Sequence, residues 1–245
     1  MGNWDNVSNW YDNLVSEKGH YYHENVIIPK VLKILEKKAS VLDLACGQGI
    51  LERYLTGETE YLGIDISSSL IQKANQYKKI KNHKFLEKDI CQKFDLQKKE
   101  YEAATLMLAI QDLDDPVIAL KNAYNHLKKD GVFIIVLNHP AFRIPRQTSW
   151  QIDEKQKMLY RRVNVYMSEL KIPISISPSK KERSKEVFSH HFPLSVLSNY
   201  LSESGFLIRN IYEWVSDKKS TGGKSRMENK AREEIPMFLT IVAIK

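Results

Sequence analysis

Three acidic residues stand at or near the ends of three successive apolar runs. Asp43 interrupts a run at 41–44, Asp65 ends a second at 61–65, and Asp89 follows a third that begins at residue 85. A carboxylate inside an apolar strand is costly to bury unless something pairs with it. An acid at the end of the second strand can accept hydrogen bonds from both ribose hydroxyls. Because an acid one strand later can accept from the exocyclic amine of an adenine, the spacing predicts a nucleoside site.

Two glycines follow the first of these acids. Gly47 and Gly49 separate the apolar run from residues 50–55, which we interpret as a helix. Strand, glycine turn and helix form the crossover that binds nucleotides. Glycine matters there because a ligand must approach the backbone where a side chain would block it. The alternative is a tight turn with no ligand, and the presence of all three motifs in order argues against it.

The three motifs, D-x-A-C-G-x-G, G-I-D and E-K-D-I, resemble those of the class I S-adenosylmethionine (SAM)-dependent methyltransferases. The resemblance covers nearly the whole chain. It implies that Asp65 binds the ribose, that Asp89 contacts the adenine amine, and that the two glycines line the methionine part of SAM. It also implies S-adenosylhomocysteine as the product, and we expect no metal. The cofactor-binding residues expected on this basis are Asp43, Ala45, Gly47, Gly49, Asp65, Ile66, Asp89, Ile90, Ala109 and Tyr11.

A nicotinamide-dependent dehydrogenase is the nearest alternative class. Its fingerprint requires a third glycine three residues after the second, and here that position is Glu52. A carboxylate beside a helix N-terminus would also repel a pyrophosphate. SAM carries no phosphate, and its ammonium would explain Asp43, so the comparison favours SAM.

The remaining apolar runs predict the rest of the fold. We expect strands at 101–110, 132–137, 206–214 and 236–244, with a helix from about residue 114 to about 129 that ends at Asp130-Gly131. The prediction is an α/β, Rossmann-like seven-stranded mostly parallel sheet with an antiparallel last strand, helices on both faces and an insertion after strand 5. Residues 1–245 then form a single methyltransferase domain.

Two segments lie outside the minimal fold. In residues 1–38 the apolar spacing predicts an N-terminal helical cap of two helices, the second beginning near Tyr22. In this cap His23 is a candidate substrate-binding residue and Tyr11 a candidate cofactor contact. Residues 139–187 follow a strand end and are rich in aromatics and arginines, which favours a substrate lid. Arg143 and Trp150 are its candidate substrate-binding residues. The alternative for the aromatics of the cap is simple packing onto the sheet.

His139 and His191 are the candidate catalytic residues. Imidazole titrates near neutrality, which suits a general base if the acceptor must lose a proton. His139 follows the fifth strand directly, and His191 fits a His-x-Pro-Leu motif that related methyltransferases carry at this place. The alternative for each histidine is a hydrogen-bonding residue that shapes a loop. The acids Asp112, Asp114 and Asp115 suit a helix N-terminus better than a metal site.

Composition leaves three functions open. The chain has 245 residues, a formal net charge of +7, two cysteines and no apolar run of membrane-spanning length, which favours a cytoplasmic protein with free thiols. We expect a small-molecule methyltransferase; the alternatives are an RNA or protein methyltransferase and a non-catalytic SAM-binding regulator. Nucleic acid is the less favoured partner, and the sequence leaves the oligomeric state open. The basic residues that support a nucleic-acid partner are Lys180, Lys181, Arg183, Lys185, Lys218, Lys219, Lys224, Arg226, Lys230 and Arg232.

Overall fold

The computed structural model describes Val15 and residues 19–98, 100–175 and 186–245. Its strands are β1 (Ser40–Leu44), β2 (Glu60–Asp65), β3 (Lys84–Glu87), β4 (Tyr101–Met107), β5 (Leu127–Asn138), β6 (Thr148–Asp153), β7 (Met158–Val163), β8 (Leu170–Ser175), β9 (Glu186–His191), β10 (Leu207–Trp214) and β11 (Phe238–Ile244). Seven of them form one sheet in the order β10-β11-β5-β4-β1-β2-β3. β1 to β5 run parallel, whereas β11 is antiparallel to both β5 and β10. The predicted Rossmann-like sheet with an antiparallel last strand is confirmed.

Five α-helices connect or flank these strands in the described residues. They are α1 (Ile28–Ile34), α2 (Ser68–Tyr77), α3 (Pro116–His126), α4 (Leu194–Glu203) and α5 (Ser225–Glu234). Side-chain N-caps determine where two of these helices begin. The Ser67 hydroxyl accepts a hydrogen bond from the Leu70 N–H at 3.3 Å and begins α2. The Asp115 carboxylate accepts from the Val117 N–H at 3.0 Å and begins α3. Pro116 suits the first position of this helix because proline has no N–H that would need a hydrogen-bond partner.

The inner strands β1, β4, β5 and β11 are buried on both faces, which explains why their apolar runs do not alternate. In β5, Phe133, Ile135 and Leu137 pack into a core that includes residues of α3 and α4. Ile134 and Val136 point the other way, into a core that includes residues of α1. Because successive side chains of a strand point to opposite faces, each apolar run serves two cores.

Two predicted boundaries are wrong. β5 begins at Leu127 rather than at residue 132, so α3 ends at His126. The Asp130 N–H donates to the Lys245 carbonyl at 3.2 Å, and the Lys245 N–H donates to the Gly131 carbonyl at 3.1 Å. The polar residues that resembled a helix end are therefore the start of a strand tied to the last residue of the sequence. Residues 50–55 do not form an α-helix either; a 3₁₀ turn covers Leu51–Tyr54.

The helical segment before β1 begins near the predicted position. A π-helical turn, His23–Ile27, runs into α1, and Pro29 lies at the start of α1. Proline cannot donate a backbone hydrogen bond, and a widened turn before it fits that loss. The first predicted helix of the cap, including Tyr11, lies outside the described residues apart from Val15.

The insertion folds as two antiparallel hairpins in its described part. β6 pairs with β7, and β8 pairs with β9. β9 continues to His191, four residues beyond the predicted end of the insertion at 187. Residues 176–185, which include the first four basic residues of the late cluster, lie outside the described part.

The chain order of the strands reverses between β1 and β4. β2 and β3 lie on one side of β1, and β4 and β5 lie on the other. In open α/β sheets, ligands bind outside the carboxyl ends of the strands at such a switch point. The sheet therefore directs the residues after Leu44 and Met107 towards one site.

Candidate active site

The glycine turn lies at the carboxyl end of β1 and is built from left-handed residues. Ala45, Gly47 and Gly49 have φ angles of 52°, 56° and 75°. A Cβ on Gly49 would lie 2.6 Å from Cζ of Phe85, so any side chain at that position would collide with this ring. The turn brings the backbone to the edge of the sheet and leaves room only for glycine at this point.

Asp65 holds this turn against the end of β2. Its Oδ2 accepts from the Gly47 N–H at 2.8 Å, and its Oδ1 accepts from the Ser67 N–H at 2.9 Å. The carboxylate is buried, with 7% of the residue exposed, while Ile66 beside it is 37% exposed. A fixed carboxylate next to an uncovered apolar side chain fits the ribose role expected for Asp65 and a cofactor contact at Ile66.

Asp43 is buried between two hydroxyl groups. Its carboxylate accepts from the Tyr61 hydroxyl at 2.7 Å and from the Thr105 hydroxyl at 2.6 Å. Burial raises the pKa of Asp43 to about 6, and the two hydroxyl hydrogen bonds oppose that rise. The protein itself therefore supplies partners for this carboxylate, and the ammonium of SAM is not needed to explain it.

Glu52 points away from the glycine turn. Its carboxylate accepts from the N–H groups of Lys79 and Ile80, at 3.2 and 2.9 Å, and Oε1 lies 3.0 Å from Nδ1 of His83. Nε2 of the same imidazole lies 2.7 Å from the Thr59 carbonyl. Glu52 thus fastens the segment after the glycine turn to the loop that follows α2, which explains a fully buried acid at this position.

The other expected cofactor residues differ in where they point. Asp89 is half-buried, and its carboxylate accepts from the Cys91 N–H at 2.8 Å, which closes the turn after β3. Ile90 is buried in the core, and its carbonyl accepts from the Asn122 amide at 2.9 Å. Ala109 follows Leu108, which has a left-handed φ of 53°. The switch point therefore has left-handed residues after β4 as well as after β1. Strained residues of this kind cluster at functional sites.

Both predicted catalytic histidines are engaged with the protein. Nε2 of His139 lies 2.7 Å from Oε1 of Glu213, and its Nδ1 accepts from the Ala141 N–H at 3.2 Å. Nε2 of His191 donates to the Tyr166 carbonyl at 2.8 Å. Burial lowers the pKa of each imidazole. These contacts favour the alternative in which each histidine shapes its loop.

Arg143 and Trp150 lie together in the insertion. The Arg143 guanidinium is 5.7 Å from the centre of the Trp150 ring, and the Arg161 guanidinium is 5.2 Å from it. Arg161 also donates to the Phe142 carbonyl at 2.8 Å and to the Thr148 hydroxyl at 2.7 Å. The indole is thus held by two cations, and Arg161 fixes the β6–β7 hairpin to the chain that follows β5.

The aromatic residues of the cap face another part of the chain. The Tyr21 hydroxyl donates to Asp217, and the Tyr22 hydroxyl lies 3.0 Å from the Ser216 hydroxyl. Nδ1 of His23 accepts from the His20 N–H at 3.2 Å, and burial lowers the pKa of His23 to about 4. These contacts favour the packing alternative for Tyr21 and Tyr22.

A small cavity of about 30 Å³ lies beside the ends of β4, β5 and β9. Gln111, Arg143 and His190 are among the residues that line it, and each has a buried polar atom without a hydrogen-bond partner in the described part of the chain. Sequence reasoning found Arg143 but missed Gln111 and His190. His191 lines the same cavity, but its Nε2 donates to the Tyr166 carbonyl, whereas Nδ1 of His190 has no partner among the described residues.

The described ranges contain neither a candidate metal cluster nor a membrane-spanning helix. No group of three histidine, cysteine or acidic side chains there could hold a metal ion. No helix among the same residues is long and apolar enough to cross a bilayer. Asp112, one of the three acids after β4, is instead a desolvated carboxyl whose pKa burial raises to about 8.

The sheet order and the glycine turn after β1 are those of the class I SAM-dependent methyltransferases. The sequence model of the family described as "Methyltransferase domain" matches residues 35–189. The chain belongs to that family, and the predicted cofactor class, SAM, is confirmed with it.

The chain is also similar to individual known proteins, and the solved structures among them share its fold. Carboxy-S-adenosyl-L-methionine synthase of Staphylococcus epidermidis is 28% identical over 141 residues, which cover 54% of the chain and 60% of that relative. A crystal structure of a SAM-dependent methyltransferase from Mesorhizobium loti has a TM-score of 0.68 at 22% identity, over 88% of the chain and 96% of that protein. A Listeria monocytogenes protein assigned to the same class has a TM-score of 0.68 at 25% identity, over 91% and 97%.

Proposed function

We propose that the protein transfers the methyl group of SAM to a small-molecule acceptor. The observation that carries the proposal is Asp65, a fixed carboxylate that joins the glycine turn to the end of β2 at the switch point of the sheet. The bound sulfonium supplies an activated methyl group. The residues of the chain have to align the acceptor with it and exclude water.

The residues present fit SAM. Asp65 would take the ribose hydroxyls, and Ile66 would cover one face of the adenine. The backbone at Gly47 and Gly49 would lie against the methionine part, and a side chain at Gly49 would disturb this turn because its Cβ would meet Phe85. SAM has no phosphate, so the glycine turn needs no phosphate-binding group. An acid at Glu52, whose carboxylate is bound to the Ile80 N–H, is therefore compatible with it.

The insertion supports a small acceptor. Its hairpins follow the end of β5, Arg161 fastens one of them to the Phe142 carbonyl, and Arg143 of the insertion lines the polar cavity. We propose that 139–187 acts as a lid. Limited trypsin digestion tests this: S-adenosylhomocysteine should slow cleavage in the insertion relative to cleavage after Lys218 and Lys219. Equal rates with and without the ligand would contradict a lid.

The test of the function is the fate of labelled methyl groups. Purified protein is incubated with methyl-labelled SAM and a fractionated cell extract. We expect label in the small-molecule fraction, and none above background with the Asp65→Asn variant. Label found only in RNA or protein would contradict a small acceptor, and tight SAM binding without label in any fraction would contradict catalysis.

RNA methylation is the second candidate, because one groove of the protein is basic. A cavity of about 460 Å³ is lined by Lys30, Lys33, Lys38 and Arg209 together with Trp214. Cations beside an aromatic ring suit a nucleic-acid backbone. The basic residues of the late segment are less available, since Lys219 pairs with Glu233, Lys224 with Glu154 and Arg232 with Glu228.

Salt dependence separates the two functions. If RNA is the substrate, its affinity should fall steeply between 50 and 200 mM salt, and replacement of Lys33 and Arg209 by glutamine should reduce the slope. A small-molecule acceptor would leave turnover nearly unchanged by both. The double variant should therefore keep its activity if the first function is correct.

A further inference from the structure

Three residues that line the cavity at the carboxyl edge of the sheet each carry a buried polar atom that has no hydrogen-bond partner among the described residues. The atoms are Oε1 of Gln111, Nε of Arg143 and Nδ1 of His190. A buried polar atom left unpaired costs about 1–3 kcal/mol, so most such atoms in a folded protein find a partner. Three of them on residues that line one cavity indicate a ligand that completes their hydrogen bonds.

The amide of Gln111 is oriented by its other end. Its Nε2 donates to the Leu108 carbonyl at 2.6 Å, which leaves Oε1 as the atom without a partner. Leu108 is the residue with φ of 53°, so a strained backbone presents the carbonyl that fixes this amide. Oε1 can only accept a hydrogen bond, and the ligand must therefore bring an O–H or N–H group to it.

Arg143 supplies a positive charge without a counter-ion. The described part of the chain gives it no ion pair, and its contact there is the Trp150 ring. Burial lowers its pKa to about 10, with the neighbouring Arg161 as a second cause, so the guanidinium stays charged at neutral pH. A half-buried cation of this kind calls for an anion, and the planar guanidinium matches a carboxylate.

His190 is held at its far nitrogen. Nε2 lies 3.3 Å from Oδ1 of Asp114, and Lys171 contacts the same oxygen. Its ring stacks on Phe192, with 5.9 Å between centres. The carboxylate favours a proton on Nε2, which leaves Nδ1 as a hydrogen-bond acceptor next to the cavity.

Together these atoms select the chemistry of the acceptor. On the basis of the proposed function, we propose that the methyl acceptor is a small organic acid with a hydroxyl or amine beside its carboxylate. Arg143 binds the carboxylate, while Oε1 of Gln111 and Nδ1 of His190 accept from the hydroxyl or amine. In its present form the cavity has room for about one or two waters, so it has to widen for the acceptor to enter.

Four small probes test this recognition without any turnover. Glycolate carries both groups, acetate lacks the hydroxyl, ethylene glycol lacks the carboxylate, and inorganic phosphate is a general anion. Each is titrated into the full chain saturated with S-adenosylhomocysteine, and the His190 ring signals are followed by nuclear magnetic resonance. We expect glycolate to shift them saturably, with acetate and ethylene glycol roughly tenfold weaker, since each leaves part of the site unpaired.

Matched variants assign the effect to the proposed atoms. Arg143→Gln should abolish the preference for glycolate over ethylene glycol, and Gln111→Leu should abolish its preference over acetate. Arg162→Gln removes an exposed arginine from the neighbouring hairpin strand and should change neither ratio.

The inference fails in two ways. No shift with any probe would mean that the cavity holds water only, and phosphate binding as tightly as glycolate would mean a general anion site. Calorimetric titration with SAM keeps this outcome apart from the proposed function. Normal SAM affinity with no glycolate response overturns the acceptor chemistry alone, whereas absent SAM binding overturns the proposed function.

Discussion

The carboxylate of Asp65 and the backbone N–H of Gly47 are joined by a hydrogen bond of 2.8 Å between atoms 18 residues apart in the chain. This bond links the end of β2 to the glycine turn after β1. The same carboxylate would bind the ribose, so one side chain both shapes the cradle and contacts the ligand. The two roles can be separated by experiment.

Replacing Asp65 should weaken SAM binding severely. Asp65→Asn keeps an oxygen for one backbone N–H but loses the charge. Each charge-assisted hydrogen bond is worth roughly 1.5–3 kcal/mol, so we expect a loss of affinity of at least about tenfold by calorimetry. Glu58→Gln, at an exposed acid, serves as the control and should bind normally. Unchanged SAM affinity in Asp65→Asn would remove Asp65 from the site.

Substitution of Gly49 by alanine should destabilise the protein more than the same change at Gly222. Both glycines have a positive φ, 75° and 98°, so both variants carry a backbone cost of about 1 kcal/mol. A Cβ on Gly49 meets Phe85 at 2.6 Å, whereas one on Gly222 meets nothing within 4 Å. We expect thermal unfolding to show a loss for Gly49→Ala at least twice that for Gly222→Ala, because overpacking adds about 1–3 kcal/mol. Equal shifts would mean that Phe85 moves aside freely.

The desolvated carboxyl of Asp112 should make stability fall as the pH rises. Its pKa is about 8 in the folded protein and about 4 in an unfolded chain. Between these values the folded state binds the extra proton, so the free energy of unfolding decreases from pH 4 to pH 8. Urea denaturation at pH 5 and pH 8 should show a smaller difference for Asp112→Asn than for the parent protein. Glu58→Gln should keep the parent difference, and identical differences in all three proteins would contradict the prediction.

Arg161 should control how tightly the β6–β7 hairpin is held. A lysine cannot reproduce its two hydrogen bonds, to the Phe142 carbonyl and the Thr148 hydroxyl, so Arg161→Lys should let the hairpin open more often. Trypsin cleavage after Lys155 and Lys157 should then be severalfold faster, since each lost bond is worth about 1 kcal/mol. Arg162→Lys, on the exposed side of the same strand, should cleave at the parent rate.

The sheet could be predicted from the sequence because its signal is local. Strands covered on both faces are continuous apolar runs, and those of β1, β2, β4 and β11 stand out between polar segments. The start of β5 could not be predicted in this way. Residues 128–131 are polar and end in Asp130-Gly131, the signature of a helix end, and only their pairing with Lys245 makes them a strand.

The acceptor side of the site was less accessible to sequence reasoning. The roles of Asp65 and the two glycines follow from motifs with fixed spacing, whereas Gln111, Arg143 and His190 come from three separate segments. Their meeting depends on how two hairpins pack against the ends of β4 and β5. The choice of His191 over its neighbour followed a motif, and a motif does not record which neighbour lacks a partner.

The position of β11 has a consequence for synthesis on the ribosome. β11 is the last strand in the chain but lies inside the sheet, between β5 and β10. Until residues 238–244 have emerged, β5 keeps an open edge and β10 has no strand to pair with. The edge of the apolar strand β5 therefore stays exposed while more than a hundred further residues are synthesised. A chaperone would be needed most during this interval.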